Sequence, residues 1–170
     1  MSHQERIDFI VNHLELRPHP EGGFYKESYR SEGSISVEEL GKTFNGARNY
    51  ATGIYFLLTA GNFSAFHRIK QDEMWHFYEG DPLRVHMIDA SGNYSYQDIG
   101  LDFAQNQRPQ FVVPAEIWFA SEVVDGGNYS LVGCTVSPGF DFDDFELAKR
   151  EQLVEEYPMH KQIIERLTSC

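Results

Sequence analysis

From residue 24 onward, the chain alternates short runs of hydrophobic and β-branched residues with turns rich in Gly, Pro, Asn and Asp. This texture is typical of strands that are each bounded by turn residues. The runs occupy residues 24–29, 50–59, 63–69, 73–79, 83–88, 94–99, 110–113, 117–121 and 129–136. Many short strands without intervening helices predict an all-β sandwich or barrel and not a parallel α/β sheet.

Helical spacing is confined to the two ends of the chain. The hydrophobic residues that recur at helical intervals near the N-terminus are Ile7, Ile10, Val11 and Leu14. They predict an amphipathic helix over residues 3–15, which ends before Pro18 because proline cannot continue it. Past residue 139, helical patterns return around residues 145–155 and 158–167 and predict C-terminal helices.

The composition limits the number of domains and the partners. A chain of 170 residues with 41% hydrophobic residues suits one domain, and no repeat or linker divides residues 1–170. The net charge of −12 lacks the basic footprint that nucleic acids or anionic membranes require. No run approaches the ~20 apolar residues of a membrane span. Two cysteines, Cys134 and Cys170, are too few for a disulfide framework, which favours a reducing, cytoplasmic location.

Residues 61–80 carry the candidate chemistry. A turn over residues 70–72 predicts a hairpin that pairs His67 with Trp75. Because strand side chains alternate with a period of two, His67 and Glu73 then share one face as diagonal neighbours. A carboxylate that fixes the tautomer of a histidine and stabilises its charged form makes that histidine a general base. We therefore predict that His67 and Glu73 are the catalytic residues.

The same segment resembles the first motif of the cupin superfamily, whose members are jelly-roll barrels built as a double-stranded β-helix. The residues that meet this motif are Gly61, His67, Glu73 and Gly80. The second metal-binding histidine of the motif is Ile69 in this chain. The second motif, Pro-x-Gly-x-x-His, aligns with residues 114–119, where Glu116 stands for the glycine and Phe119 for the histidine. Two of the metal ligands of the family are therefore missing.

Longer matches resemble one uncharacterised single-domain cupin subfamily. These matches are His-Pro-Glu-Gly-Gly-Phe-Tyr from His19, His-Arg from His67, Asp-Glu-Met-Trp-His-Phe-Tyr from Asp72 and Pro-Gly-Phe-Asp-Phe from Pro138. They cover nearly the whole chain and imply a cupin barrel with an N-terminal helix and C-terminal helices packed outside. The subfamily has no settled reaction, so the resemblance implies a pocket and not an activity.

The residues at the motif positions disfavour metal binding. A transition metal normally takes three or four N, O or S ligands, and Ile69 and Phe119 supply none. We therefore predict no metal and no other cofactor. The alternative is a metal-dependent cupin enzyme that uses His67, Glu73 and His76, which requires a bulge to turn His76 inward.

Further residues are predicted to contact a ligand: Glu21, Tyr25, Arg30, Trp75, His76, Gln110 and Trp118. The first three lie in or after residues 18–23, a Pro- and Gly-rich run that either connects a helix to a strand or places these side chains at the barrel mouth. The two tryptophans also suit the core, and Gln110 suits an exposed strand end. Likewise, His67 and Glu73 also suit a satisfied core histidine and a solvent-facing carboxylate.

The ligand expected in the barrel is a small polar metabolite, such as a sugar or nucleotide derivative. Sugar-nucleotide epimerases are similar cupins that work without metal, using a histidine with a carboxylate and a tyrosine. By this analogy we predict an isomerisation or epimerisation with His67 as general base and a tyrosine as acid. The alternative is a non-catalytic binding or sensory module with the same pocket. We also expect a homodimer, because sandwich edges and exposed apolar surfaces are usually covered.

Overall fold

The computed structural model describes residues 1–169, and Cys170 lies outside the described part. The strands, in chain order, are β1 (Arg17–Pro18), β2 (Phe24–Arg30), β3 (Ser34–Ile35), β4 (Arg48–Asn49), β5 (Thr52–Thr59), β6 (Phe63–Arg68), β7 (Asp72–Gly80), β8 (Leu83–Ile88), β9 (Tyr94–Ile99), β10 (Gln110–Val113), β11 (Trp118–Val123), β12 (Tyr129–Ser137) and β13 (Glu146–Leu147). The helices are α1 (His3–His13), α2 (Val37–Leu40), α3 (Arg150–Glu156) and α4 (Lys161–Arg166), with short 3₁₀ turns at Phe103–Gln105, Phe142–Asp144 and Pro158–His160.

Two antiparallel sheets form the jelly-roll barrel. One sheet has six strands in the order β1-β2-β5-β12-β7-β10, and the other has five in the order β13-β6-β11-β8-β9. The main core cluster joins the two sheets, since Phe56 and Trp75 of the first sheet pack with Val85 and Phe119 of the second. This core fills one part of the space between the sheets and leaves the rest for a cavity.

All nine predicted strands are present, and their ends agree within two residues. The hydrophobic runs and the turn residues between them were therefore sufficient to locate the main strands of the barrel. The two-residue strands β1, β3, β4 and β13 were not predicted. A dipeptide has no periodicity, so only its partner strand makes it a strand.

The helices cover the outside of the barrel. Ser2 and Glu5 form a capping box at the start of α1, whose Ile7 and Ile10 pack against the six-stranded sheet. At the other end of the chain, α3 and α4 cover the outer face of the five-stranded sheet in a separate apolar cluster. This cluster includes Trp118. Within residues 1–169, no helix combines the length and the apolar character needed to cross a membrane.

The predicted hairpin between β6 and β7 is wrong. The two strands are consecutive in the chain but lie in different sheets, and His67 pairs with Phe119 and Leu147 instead of Trp75. The connection crosses between the sheets because Gln71 is buried and donates hydrogen bonds to the Gly139 carbonyl at 3.1 Å and to Asp144 at 2.8 Å. Long-range contacts therefore override the local turn signal.

Candidate functional site

A cavity of about 430 Å³ lies between the two sheets. Its polar wall includes His19, Glu21, Tyr25, His67, Glu73 and Cys134. Apolar side chains such as Ile54, Ile69 and Val136 complete the lining. A mostly apolar cavity with a few converging polar groups is the usual form of a small-molecule site.

The turn of residues 19–23 brings Glu21 to this cavity. Gly22 has a φ of 117°, and a Cβ atom at this position would lie 2.0 Å from the Phe63 carbonyl oxygen, so only glycine fits. This close approach lets the Ala65 N–H donate to the Glu21 carbonyl at 3.0 Å, which ties the turn to β6. The Glu21 side chain is 8% exposed and lies beside His67, which belongs to β6.

His67 is held by its Nδ1 atom. Nδ1 lies 2.7 Å from the Ala65 carbonyl oxygen and 3.2 Å from Glu21 Oε2. Because a carbonyl oxygen can only accept, Nδ1 carries the hydrogen and directs it to Ala65, which leaves Nε2 with a lone pair. The ring is 6% exposed and lies 4.1 Å from the Phe119 ring centroid. His67 is thus fixed in one tautomer with its acceptor nitrogen unbonded to any described residue.

The carboxylate nearest to His67 is Glu21 and not the predicted Glu73. The predicted pairing of His67 with Glu73 depended on the β6–β7 hairpin, which does not form. Glu73 instead lies on β7 of the opposite sheet, with Cys134 of β12 as its hydrogen-bond neighbour. Both predicted catalytic side chains nevertheless line the cavity.

Burial shifts the pKa values of four groups that line the cavity, namely His19, Glu21, His67 and Glu73. It lowers the pKa of His67 to about 3 and that of His19 to about 4. It raises the pKa of Glu73 to about 7. The pKa of Glu21 is raised well above its usual range by burial and by repulsion from Glu73. At neutral pH the two imidazoles are therefore neutral, and Glu73 is close to half ionised.

Several predicted ligand contacts lie at the cavity, and others do not. Tyr25 and Arg30 of β2 line it together with Glu21. Trp75 is part of the core between the sheets, and Trp118 is part of the outer cluster under the C-terminal helices. Neither tryptophan is among the described residues that line the cavity, because one ring fills the interior of the barrel and the other packs under the helices.

His76 and Gln110 also lie away from the cavity. They are paired on neighbouring strands, Gln110 is exposed, and His76 Nε2 is 2.8 Å from the Thr135 hydroxyl. Strand alternation sends Glu73 inward and His76 outward, and no bulge reverses this between β7 and β10. The structure therefore does not bring His76 together with His67 and Glu73, as the metal-dependent alternative requires.

The donor groups at the cavity do not fit a metal ion. Within residues 1–169, no three His, Cys, Asp or Glu side chains are arranged to hold one. The Nδ1 atoms of both histidines are engaged: His67 Nδ1 donates to Ala65, and His19 Nδ1 accepts from the Glu21 N–H at 3.2 Å. Apolar Ile69 and Phe119 occupy the positions from which further ligands would come.

Sequence reasoning missed two parts of the lining. His19 entered only as part of a motif, although its buried ring lies 4.5 Å from Tyr25 and its Nδ1 is 3.5 Å from Glu21 Oε1. The loop after β12 contributes Phe140, Phe142 and Phe145. The spacing of these phenylalanines in a Pro- and Gly-containing loop was the available signal, since long loops often border sites.

Comparison with known proteins identifies the family. The family model described as "Cupin superfamily (DUF985)" matches residues 8–148. The chain belongs to the cupin superfamily. Its similarity extends to an uncharacterised protein of Saccharomyces cerevisiae, YML079W, which is 29% identical over 151 residues and is matched over 84% of this cupin and 75% of its own length.

Solved structures agree with this assignment. Protein SO0799 from Shewanella oneidensis is 44% identical, with a TM-score of 0.86 over 95% of this chain and 96% of its own. A hypothetical protein from Leishmania major is 36% identical, with a TM-score of 0.87 over 96% of this cupin and 98% of its own chain. Oxalate decarboxylase from Bacillus subtilis, at 16% identity and a TM-score of 0.52 over 36% of its chain, shares the fold alone.

One departure from the cupin motifs is visible in the backbone. Glu116, at the motif's glycine position, has a φ of 68°, in the left-handed region that favours glycine. Its N–H donates to the Ile69 carbonyl at 2.9 Å, so the turn keeps its shape without the glycine.

Proposed function

We propose that this cupin is a metal-independent isomerase that moves a proton within a small polar metabolite of about sugar size. Glu73 is the general base, because its pKa of about 7 matches a neutral working pH and its Oε2 is buried without a hydrogen-bond partner. This unpartnered carboxyl oxygen at the cavity is the observation that carries the proposal. His67, the base that the sequence predicts, is less suitable because burial holds its pKa near 3.

The reaction needs one base. Glu73 takes a proton from a hydroxyl-bearing carbon of the substrate, the electron pair of the broken C–H bond forms a carbon–carbon double bond, and the π electrons of the adjacent carbonyl group pass to its oxygen. That oxygen takes up a proton while the hydroxyl group on the first carbon gives one up and becomes the new carbonyl, and the protonated Glu73 returns its proton to the former carbonyl carbon. The Tyr25 hydroxyl, at the same cavity, is the donor that supports the developing oxygen charge. His67 Nε2 accepts a hydrogen bond from the substrate and positions it.

Deuterium exchange tests this reaction on a mixture of candidate substrates. The protein is incubated in D₂O with pooled polar metabolites, and mass spectrometry detects any metabolite that gains deuterium. We expect Glu73→Gln to slow the exchange about 100-fold or more, in the range of a lost general base. Glu79→Gln is the matched control, since Glu79 lies on the same strand but is bound to Arg6 and Tyr129 outside the cavity.

Unchanged exchange in the Glu73→Gln variant would contradict the role of Glu73. A metabolite that binds, raises the melting temperature and gains no deuterium would contradict an isomerase. That second result is the one expected of a non-catalytic binding or sensory module.

We also propose that residues 1–170 form one cupin unit that acts as a homodimer in the cytoplasm. The outer face of the six-stranded sheet supports the dimer, because Tyr78 is 51% exposed there and stacks on His76 beside half-buried Tyr55. The buried, unpaired thiol of Cys134 suits a reducing compartment.

Light scattering is expected to give twice the 19.6 kDa chain mass, and Tyr78→Glu is expected to give the monomer. A monomeric mass for the unchanged protein would contradict the dimer, and its recovery in a secreted fraction would contradict the location.

A further inference from the structure

The cavity is acidic. Its charged lining groups are Glu21, Glu27, Glu73 and Asp141 on the negative side and Arg30 on the positive side. Among the described residues of the lining, Arg30 is the one Lys or Arg side chain. The cavity therefore has few groups for a phosphate or a carboxylate and several for a cation.

Arg30 is already committed to protein partners. Its Nε and Nη2 donate to Glu27 at 3.0 and 2.6 Å, its Nη1 donates to Asn49 at 2.8 Å, and its Nη2 also donates to the Phe140 carbonyl at 3.0 Å. A guanidinium has five N–H donors. Because most of them are used within the wall, Arg30 is a poor receptor for an anionic ligand.

Unpartnered acceptors converge on the cavity. The Glu21 side chain is 8% exposed, and its Oε2 atom is buried without a hydrogen-bond partner. The lone pair of His67 Nε2 lies on the neighbouring ring. Buried polar atoms in native proteins are nearly always bonded, so acceptors left open at a cavity indicate a ligand that brings N–H donors.

Aromatic rings stand beside these acceptors. Phe140, Phe142 and Phe145 pack edge to face. The ring centroid of Phe140 lies 5.0 Å from that of Phe142 and 6.5 Å from that of Phe145, and the centroids of Phe142 and Phe145 are 5.9 Å apart. The Phe145 ring centroid lies 5.3 Å from that of His67, and His67 Nδ1 lies 3.2 Å from Glu21 Oε2, so the aromatic wall and Glu21 both lie beside His67. Ring faces next to a carboxylate attract cations through the ring quadrupole.

We propose that the ligand carries a protonated amine, which binds between Glu21 and the phenylalanines of residues 140–145. The assignment rests on the proposed function, since it names the substrate class of the same cavity, and it leaves Glu73 available for proton transfer. An ammonium group supplies the N–H donors that Glu21 Oε2 and His67 Nε2 lack, and its charge meets both the carboxylate and the ring faces.

Amine binding should release a proton. Burial and repulsion from Glu73 raise the pKa of Glu21 in the ligand-free cavity, whereas an adjacent ammonium favours the ionised form of Glu21 and so lowers this pKa. Affinity for the amine should therefore rise with pH up to the pKa of Glu21 in the free protein. Besides Glu21, the titratable and charged groups at the cavity are His19, Tyr25, Glu27, Arg30, His67, Glu73, Cys134 and Asp141.

Three probes of matched size test the amine. Benzylammonium, benzyl alcohol and benzoate differ in charge but share a ring that suits the aromatic wall. Ligand-observed NMR titrations at pH 8 are expected to give benzylammonium the lowest Kd, by about tenfold or more over the other two, as expected for a charged hydrogen bond. Calorimetry in buffers of different ionisation enthalpy is expected to detect the released proton.

Two variants separate this proposal from the proton-transfer reaction. Glu21→Gln should remove the preference for benzylammonium, whereas Glu73→Gln should retain it and lose only the deuterium exchange. Equal or tighter binding of benzyl alcohol or benzoate to the unchanged protein would overturn the amine assignment, as would an unchanged preference in Glu21→Gln. Glu73-dependent exchange of a metabolite without an amine would also overturn it, and would leave the isomerase standing.

Discussion

An Arg48→Met variant is expected to have a free energy of unfolding about 3–5 kcal/mol lower than that of the unchanged protein. Arg48 donates hydrogen bonds of 2.8 and 2.7 Å to Asp144, and the two side chains are 4% and 0% exposed. Methionine would leave the buried carboxylate with Gln71 as its remaining side-chain hydrogen-bond donor at 2.8 Å. Urea denaturation at pH 7 measures the difference.

The deficit should shrink in acid. Burial alone would raise the pKa of Asp144, but hydrogen bonds from Arg48 and Gln71 and the charge of Arg48 lower it below its ordinary value. The folded carboxyl thus takes up its proton at a lower pH than the unfolded one. Its contribution to stability is present above the unfolded pKa and is lost as the pH falls through the folded pKa.

Lys161→Met is the matched control for Arg48→Met. Lys161 and Glu165 form an exposed pair on α4, 3.7 Å apart and 63% and 49% exposed, so its loss should cost below about 0.5 kcal/mol. The double variant Arg48→Met, Asp144→Leu should recover part of the loss, because it leaves no unpaired buried charge. Equal costs for Arg48→Met and Lys161→Met would show that the buried pair does not stabilise the loop that carries the phenylalanines.

Glu73→Gln is expected to make the protein more stable at pH 8, by up to about 3 kcal/mol. The pKa of Glu73 is raised to about 7 by burial, so ionising it in the folded protein is costly. Glutamine has nearly the same shape and no charge. Removing the charge also relieves its repulsion of Glu21. For a chain of this length the gain corresponds to a rise of about 6–12 °C in Tm.

The pH dependence has a definite sign. Between the ordinary glutamate pKa and about 7, the folded protein binds more protons at Glu73 than the unfolded chain does. The stability of the unchanged protein therefore falls as the pH rises through this window, and the Glu73→Gln variant lacks that fall. Thermal unfolding at pH 5 and pH 8 measures it, and the two proteins should differ little at pH 5.

Glu79→Gln on the same strand should change stability in the opposite direction. Its hydrogen bonds to Arg6 and Tyr129 outweigh its partial burial and lower its pKa, so its loss should slightly destabilise the protein at pH 8. If Glu73→Gln destabilised the protein at pH 8 as well, Glu73 would be a stabilising residue and not a strained carboxyl group kept for chemistry.

The two predictions contrast two kinds of buried charge. Asp144 is paired by Arg48 and Gln71 and stabilises the fold, whereas Glu73 lacks a cationic partner and costs stability. Active sites commonly retain such unfavourable groups because their reactivity depends on the same environment. Glu73→Gln would therefore exchange activity for stability.

Much of the fold could be predicted from residue patterns. Strand alternation located every strand longer than two residues, and helical spacing located α1 and the C-terminal helices. The Gly22–Gly23 pair and the motif around His67 also pointed to residues that line the cavity. These signals are local, and each depends on a few consecutive residues.

Local patterns could not predict which distant residues meet. A turn over residues 70–72 suggested a hairpin, but the contacts of Gln71 with Gly139 and Asp144 carry the chain to the other sheet. Trp75 and Trp118 are the same residue type in similar strand runs, yet Trp75 packs inside the barrel and Trp118 packs under the C-terminal helices.

By itself, the sequence determined an all-β barrel with terminal helices and singled out His67 and Glu73 as candidate site residues. Only the tertiary structure decided that Glu21 lies beside His67, that Glu73 stands on the opposite sheet, and that phenylalanines from the loop after β12 complete the cavity. The reason is physical: the direction of a strand side chain follows from a period of two residues, whereas its partner across the barrel depends on how two sheets pack over long separations in the chain.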